Sequence, residues 1–210
     1  MFIGKYNKSL VISYVGVICT ILGMFFCLTP NFGGDTHFKI SMIFLILAGV
    51  CDMLDGKFAR MCKRDKDEEM FGIQLDSLAD TVDFVCFPVV FGLARGFNQW
   101  YHVITYILIA MAGIQRLCYF NVLVINKKDK GPVKFYTGLP VTSTAIIFPI
   151  VYAISRVVES CLFNEIFYAV ITFLTAFFFV SNIKVPKPKG IAYPIFALIA
   201  VIGIVIICLV

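Results

Sequence analysis

The chain has 210 residues, of which 60% are hydrophobic and only 15% charged, with a mean hydropathy of +0.91 and a net charge of +5. So large an apolar fraction excludes an ordinary soluble domain, whose interior is too small to hide it, and leaves a polytopic membrane protein. The eight cysteines are scattered, with no CxxC pair and no Cys/His set at zinc spacing, which excludes a zinc module and leaves the thiols as small apolar side chains.

Apolar runs of spanning length fall at 9–29, 38–59, 72–94, 101–124, 139–158, 161–182 and 191–210. They predict an all-α bundle of six or seven transmembrane helices, read as a single membrane domain over 1–210. The first run is too long for a signal-peptide core and is expected to stay as a helix. The second ends among Asp52 and Asp55, and the third carries Asp76, Asp80 and Asp83 in its first half. Trp100, Tyr101 and His102 open the fourth as an aromatic anchor, and Arg116 lies inside it. Two charged loops are expected at 60–71 and 125–138, with Gly131-Pro132 and Pro186-Lys187-Pro188 as loop punctuation.

If the N-terminus is cytoplasmic, fourteen of the eighteen Lys and Arg residues fall on the inside. They are Lys5 and Lys8; Lys57, Arg60, Lys63, Arg64 and Lys66; Lys127, Lys128, Lys130 and Lys134; and Lys184, Lys187 and Lys189. Lys39, Arg95 and Arg156 fall outside. That asymmetry predicts a cytoplasmic N-terminus, and the absence of a targeting pattern fits a prokaryotic inner membrane.

The acids carry the chemistry. Asp52 and Asp55 are three residues apart near the end of the second helix, and Asp76 and Asp80 are four apart near the start of the third. Each spacing puts two carboxylates on one helical face, and a short connection makes the two helices antiparallel neighbours. Four carboxylates converging near the cytoplasmic surface repel one another and are costly to desolvate, so a cation is expected among them. All-oxygen ligation suits Mg²⁺, Mn²⁺ or Ca²⁺, and four aspartates suffice for two ions, a common device in phosphoryl chemistry. Taken alone, either pair is equally well read as helix-terminal acids, which the helix dipole favours. Gly56, Ala59 and Gly72 let a ligand or another helix approach closely, and Arg60 can meet phosphate at the interface.

Read together, Asp52, Asp55, Gly56, Ala59, Arg60, Gly72, Asp76 and Asp80 resemble the D-x2-D-G-x2-A-R…G-x3-D-x3-D signature of the CDP-alcohol phosphatidyltransferase family. The gap from Arg60 to Gly72 holds eleven residues, longer than is usual, with the excess in the charged Lys63–Glu69 loop. The resemblance implies two divalent metals held by Asp52, Asp55, Asp76 and Asp80, with Asp80 also the base that deprotonates the acceptor hydroxyl. It implies a CDP site lined by Asp52, Gly56, Ala59, Arg60 and Gly72, and a homodimer. Arg60 and Arg116 could balance the diphosphate charge.

Three further segments look like the branch of that family that transfers a phosphatidyl group from CDP-diacylglycerol to L-serine. They are Leu75–Asp80, Gln115–Val122 and Phe135–Thr142, so the likeness covers roughly residues 1–150. Cys118, Tyr119 and Asp83 depart from that branch. Arg116 is read as a contact to phosphate or to the serine carboxylate, against a structural ion pair with Asp83. Asn121, Thr142 and Ser143 are candidate pocket hydrogen-bonders. The rival readings are another acceptor, glycerol 3-phosphate or inositol phosphate, and a divalent-cation transporter. The transporter is disfavoured because the acids sit at a helix end and no duplicated broken helices are evident.

Overall fold

Lipid offers the backbone no hydrogen bonds, so an apolar run of roughly 20 residues satisfies its own N–H and C=O groups by closing into a helix. The structure, a computed structural model describing residues 4, 7–29, 35–125, 135–158, 160–186 and 192–209, is a bundle of such helices. They are α1 (Val11–Leu28), α2 (Thr36–Met61), α3 (Lys66–Asp80), α4 (Phe87–Ala94), α5 (Trp100–Ile125), α6 (Thr144–Val157), α7 (Cys161–Val180) and α8 (Ala192–Leu209). Among the described residues, five stretches are long and apolar enough to cross a membrane: Lys8–Leu28, Thr36–Met61, Lys66–Ala94, Trp100–Val124 and Cys161–Val180. Val141–Val157 and Ala197–Leu209 are apolar and shorter. These seven match the seven expected runs. Lys5, the 126–134 part of the expected second loop with its lysines and Gly131-Pro132, and Lys187, Pro188 and Lys189 lie outside the described residues.

The third helix departs from expectation at both ends. It begins at Lys66, six residues before the apolar run, because Asp65 and Glu68 form a reciprocal capping box. Asp67, Glu68 and Glu69 occupy the first turn, where the helix dipole favours acids. Asn7, just before α1, donates to the Lys63 carbonyl (3.2 Å) and to Glu68 Oε2 (3.1 Å), closing the start of α3 onto the chain's beginning. Past Asp80 the span continues as a π-helical turn, Thr81–Cys86, before resuming as α4. The widening lies just before Pro88, which has no N–H to serve the Phe84 carbonyl in α-helical register.

The core is aromatic and lies toward the end of the bundle away from the acids. Phe84, Phe87, Phe91, Phe148, Tyr152 and Tyr168 are buried there with Met42 and Leu45. Phe91 meets the Phe38 and Tyr152 rings edge-on at 5.5 and 6.0 Å. Tyr168 donates to the Pro88 carbonyl at 2.6 Å, and Tyr106 to the Phe97 carbonyl at 2.9 Å, so their hydroxyls are satisfied inside the packed layer. Beside it, Arg95 lies over the Phe38, Phe97 and Tyr152 rings, and Arg156 pairs with Asp35.

Small residues set the close helix approaches. On α1, Gly16, Thr20, Gly23 and Cys27 form the buried stripe against α2 and the π turn. Gly138 has φ of +76°, and an added Cβ would meet the Phe179 carbonyl oxygen at 2.7 Å. Only glycine serves there, which gives the Phe135–Thr142 segment its shape. Just before it, Phe135–Thr137 pairs antiparallel with Lys184–Pro186 as a two-stranded clasp.

Candidate active site

The acids meet where α2, two to three turns before its end, passes the second half of α3. One carboxylate oxygen each from Asp52, Asp76 and Asp80 lies within 4.8 Å of the others, and all three residues are half-buried. Three hard anionic donors at that separation are a chelating set for a hard divalent cation, and Mg²⁺ or Mn²⁺ fits their chemistry. Their position also decides the helix-terminus question. Because α3 starts at Lys66, Asp76 is in its third turn and Asp80 is its last residue. The expectation that both lie in the first turns is therefore corrected, and the N-terminal dipole does not account for them.

Asp55 stands apart from the compact three. It is buried and neighbours Asp76, but Ser13 Oγ on α1 donates to its Oδ2 at 2.8 Å. Neither Ser13 nor α1 was among the expected contributors to the site. A serine in an apolar first span gives no periodic signal, and only the packing of α1 on α2 brings it to an acid 42 positions away. The fifth acid, Asp83, is carried on the π turn and is also buried. Its Oδ2 lies 3.2 Å from where a Cβ on Gly16 would stand, with the Thr20 hydroxyl beside it. The face it presents is therefore toward α1.

The remaining expected residues divide. Gly56 is exposed at the end of α2, and a Cβ there would meet nothing within 4 Å, so the position is open to an incoming group. Ala59 is half-buried and Arg60 exposed on the same last turns. Gly72 is half-buried on α3, with Arg64 Nη1 3.4 Å from its would-be Cβ, which brings a second arginine to this rim. Arg116 is buried in α5 with its guanidinium 4.5 Å from the Phe120 ring centre. Asn121 is directed at the site's framework: its Oδ1 accepts from Ser77 Oγ at 2.8 Å, tying α5 to the residue after Asp76. Thr142 is half-buried in the 3-10 turn Val141–Ser143, which packs on the π turn. Ser143 is committed elsewhere, its hydroxyl bonding the Pro140 carbonyl at 2.6 Å.

The arrangement can hold a divalent cation at a membrane-embedded helix pair, beside an open glycine and a cationic rim suited to phosphate. Comparison with known proteins agrees with it. The CDP-alcohol phosphatidyltransferase family model matches residues 7–180. A CDP-diacylglycerol–serine O-phosphatidyltransferase of Saccharomyces cerevisiae is 35% identical over 135 residues, covering 62% of this chain and 48% of its own. An archaetidylserine synthase of Methanothermobacter thermautotrophicus is 30% identical over 158 residues, 74% of this chain and 62% of its own. A CDP-diacylglycerol–serine O-phosphatidyltransferase of Methanocaldococcus jannaschii is 30% identical over 203 residues, 94% of this chain and 87% of its own. The chain thus spans about half the length of the yeast relative and nearly all of the Methanocaldococcus one. With the signature aspartates carried on two adjoining helices and the family model matching α1 through α7, the chain belongs to the CDP-alcohol phosphatidyltransferase family.

Proposed function

We propose that this protein transfers a phosphatidyl group from CDP-diacylglycerol to L-serine, giving phosphatidylserine and CMP. The observation that carries the reading is the convergence of Asp52, Asp76 and Asp80 within 4.8 Å. The serine acceptor rests on the relatives, named as serine transferases or an archaetidylserine synthase.

The serine hydroxyl oxygen attacks the lipid-side phosphorus. A new P–O bond forms, the bond from that phosphorus to the diphosphate bridging oxygen breaks, and CMP leaves with that oxygen. Asp52, Asp55, Asp76 and Asp80 hold two divalent ions, Mg²⁺ or Mn²⁺. When bound, such ions neutralise the diphosphate and stabilise its developing charge. Asp80 takes the hydroxyl proton, which an alcohol needs because it is a poor nucleophile at neutral pH. Gly56 and Gly72 admit the nucleotide close to the backbone beside Asp52 and Ala59, and Arg60 meets its phosphates. Arg116 offers a planar fork to phosphate or to the serine carboxylate, and Thr142 a hydroxyl near the acceptor. Asn121 serves the acceptor pocket through its hold on Ser77.

The same reading makes 1–210 one functional unit, working as a homodimer in the cell (inner) membrane with its N-terminus and its acidic site toward the cytoplasm. The lysine and arginine distribution supports that orientation, and the small soluble substrates are met on that side.

The test is CMP release from CDP-diacylglycerol by purified protein with Mn²⁺, comparing serine, glycerol 3-phosphate and inositol phosphate. Release with serine alone, lost in Asp80→Asn, is expected. Release with only one of the other acceptors would keep the chemistry and replace the substrate. No release with any acceptor, from folded protein that still binds Mn²⁺, would return the site to a metal-binding or transport role.

A further inference from the structure

We infer that Ser13, on the first transmembrane helix, is a positioning residue for the metal site: its hydroxyl fixes Asp55 and so sets the affinity of the acidic cluster for divalent cations. The inference rests on the reading that these aspartates bind metal, and it assigns a role to a helix outside the signature.

Asp52, Asp76 and Asp80 already converge, from α2 and α3. Asp55 is the signature aspartate outside that compact group, although it sits one turn beyond Asp52 and neighbours Asp76. The Asp55 side chain is within hydrogen-bond reach of Asp76, and its rotamer decides whether it keeps facing the cluster once both carboxylates are charged and repel. Ser13 engages Oδ2 at 2.8 Å and so holds the carboxylate in one orientation beside Asp76. The hydroxyl has one proton, and donating it to Asp55 also stabilises the charged carboxylate in a dry place.

The backbone geometry around Ser13 supports a dedicated role. Three residues on, Gly16 brings α1 against Cys51 and Asp83, with would-be Cβ distances of 3.5 and 3.2 Å. That close approach is what lets so short a side chain as serine reach α2. Ser13 thus does for Asp55 what an outer hydrogen-bond partner does for a metal ligand elsewhere: it restricts the ligand's orientation before the ion arrives. Loss of such partners commonly costs about ten- to a hundredfold in metal affinity.

The experiment titrates Mn²⁺ into the detergent-solubilised full chain and reads free Mn²⁺ by electron paramagnetic resonance, with no substrate present. Ser13→Ala and Ser13→Cys, the second nearly conserving volume while weakening the donor, are expected to weaken at least one class of Mn²⁺ site by about tenfold or more. Ser13→Thr, which keeps the hydroxyl, is expected to bind within about twofold of the parent, with the Mn²⁺ concentration for half-maximal CMP release following the same order. Unchanged Mn²⁺ binding in Ser13→Ala and Ser13→Cys would overturn the inference, and so would an equal loss in all three variants, which would mark a packing role. If the parent protein binds no Mn²⁺, or binds it equally well after Asp52→Asn, the metal reading itself fails, a result distinct from failure at Ser13 alone.

Discussion

The two ends of this bundle are built on opposite principles. At one end, around α4 and the start of α5, the helices are locked by rings: Phe91 among Phe38, Tyr152 and Tyr168, with the Tyr168 and Tyr106 hydroxyls spent on backbone carbonyls. At the other end, α2 and α3 carry Asp52, Asp76 and Asp80 half-buried and an exposed Gly56, and the large apolar side chains around them, such as Met53, Leu54, Phe71 and Leu78, are only half-buried or exposed. Close packing makes the first end rigid and dry. The second cannot be packed in that way without closing the space a nucleotide needs. It is held instead by single hydrogen bonds at its edges: Ser13 to Asp55, Ser77 to Asn121, and Asn7 to Glu68. The lesson is a division of labour, in which the fold's stability is placed away from its chemistry and the reactive end depends on a few polar contacts.

Substitutions should separate the two ends. The largest effect is expected from Asp80→Asn, which removes the base while leaving the aromatic layer intact. Turnover should fall by about a thousandfold with the unfolding midpoint in detergent nearly unchanged. Removing divalent metal with EDTA should likewise abolish turnover, and Mn²⁺ or Mg²⁺ should restore it, because the carboxylates alone repel the diphosphate. At the opposite end, Phe91→Ala should cost about 3 kcal/mol of stability through the cavity it leaves, with the protein that remains folded turning over normally. Gly92→Ala tests the same layer by overpacking. Its new methyl group would collide with the Tyr106 hydroxyl and come within 2.8 Å of the Tyr168 ring, and should destabilise by about 1–3 kcal/mol. The smallest effect belongs to Ser77→Ala. Releasing Asn121 should lower turnover several-fold and stability by only about 1 kcal/mol, the worth of one hydrogen bond. A Phe91→Ala protein that folds stably but is inactive would erase the distinction between the ends.

Much of this was legible in the sequence because lipid is a demanding solvent. Seven apolar runs became seven apolar helical stretches, and three of the four acids with three- and four-residue spacings became one compact cluster, with Asp55 beside it. What stayed hidden has physical reasons. The start of α3 lies in a charged segment where hydropathy carries no signal, and the capping pair Asp65 and Glu68 lies wholly before the apolar run that marked the helix. The π turn follows from Pro88, whose consequence depends on what its neighbours can bond. The Ser13–Asp55 and Ser77–Asn121 contacts join residues 42 and 44 positions apart, so they exist only after the helices have packed. Asn121 shows the limit most clearly. Its side chain and place in the sequence point to a pocket hydrogen-bonder, but which atom it engages depends on the position of α3 against α5.

The most direct test of the central claim is the product formed by the purified chain from CDP-diacylglycerol and labelled serine in the presence of Mn²⁺. The account predicts labelled phosphatidylserine and CMP in equal amounts, both lost in Asp80→Asn and both abolished by EDTA. CMP formed without labelled lipid, or labelled lipid formed undiminished by Asp80→Asn, would contradict it.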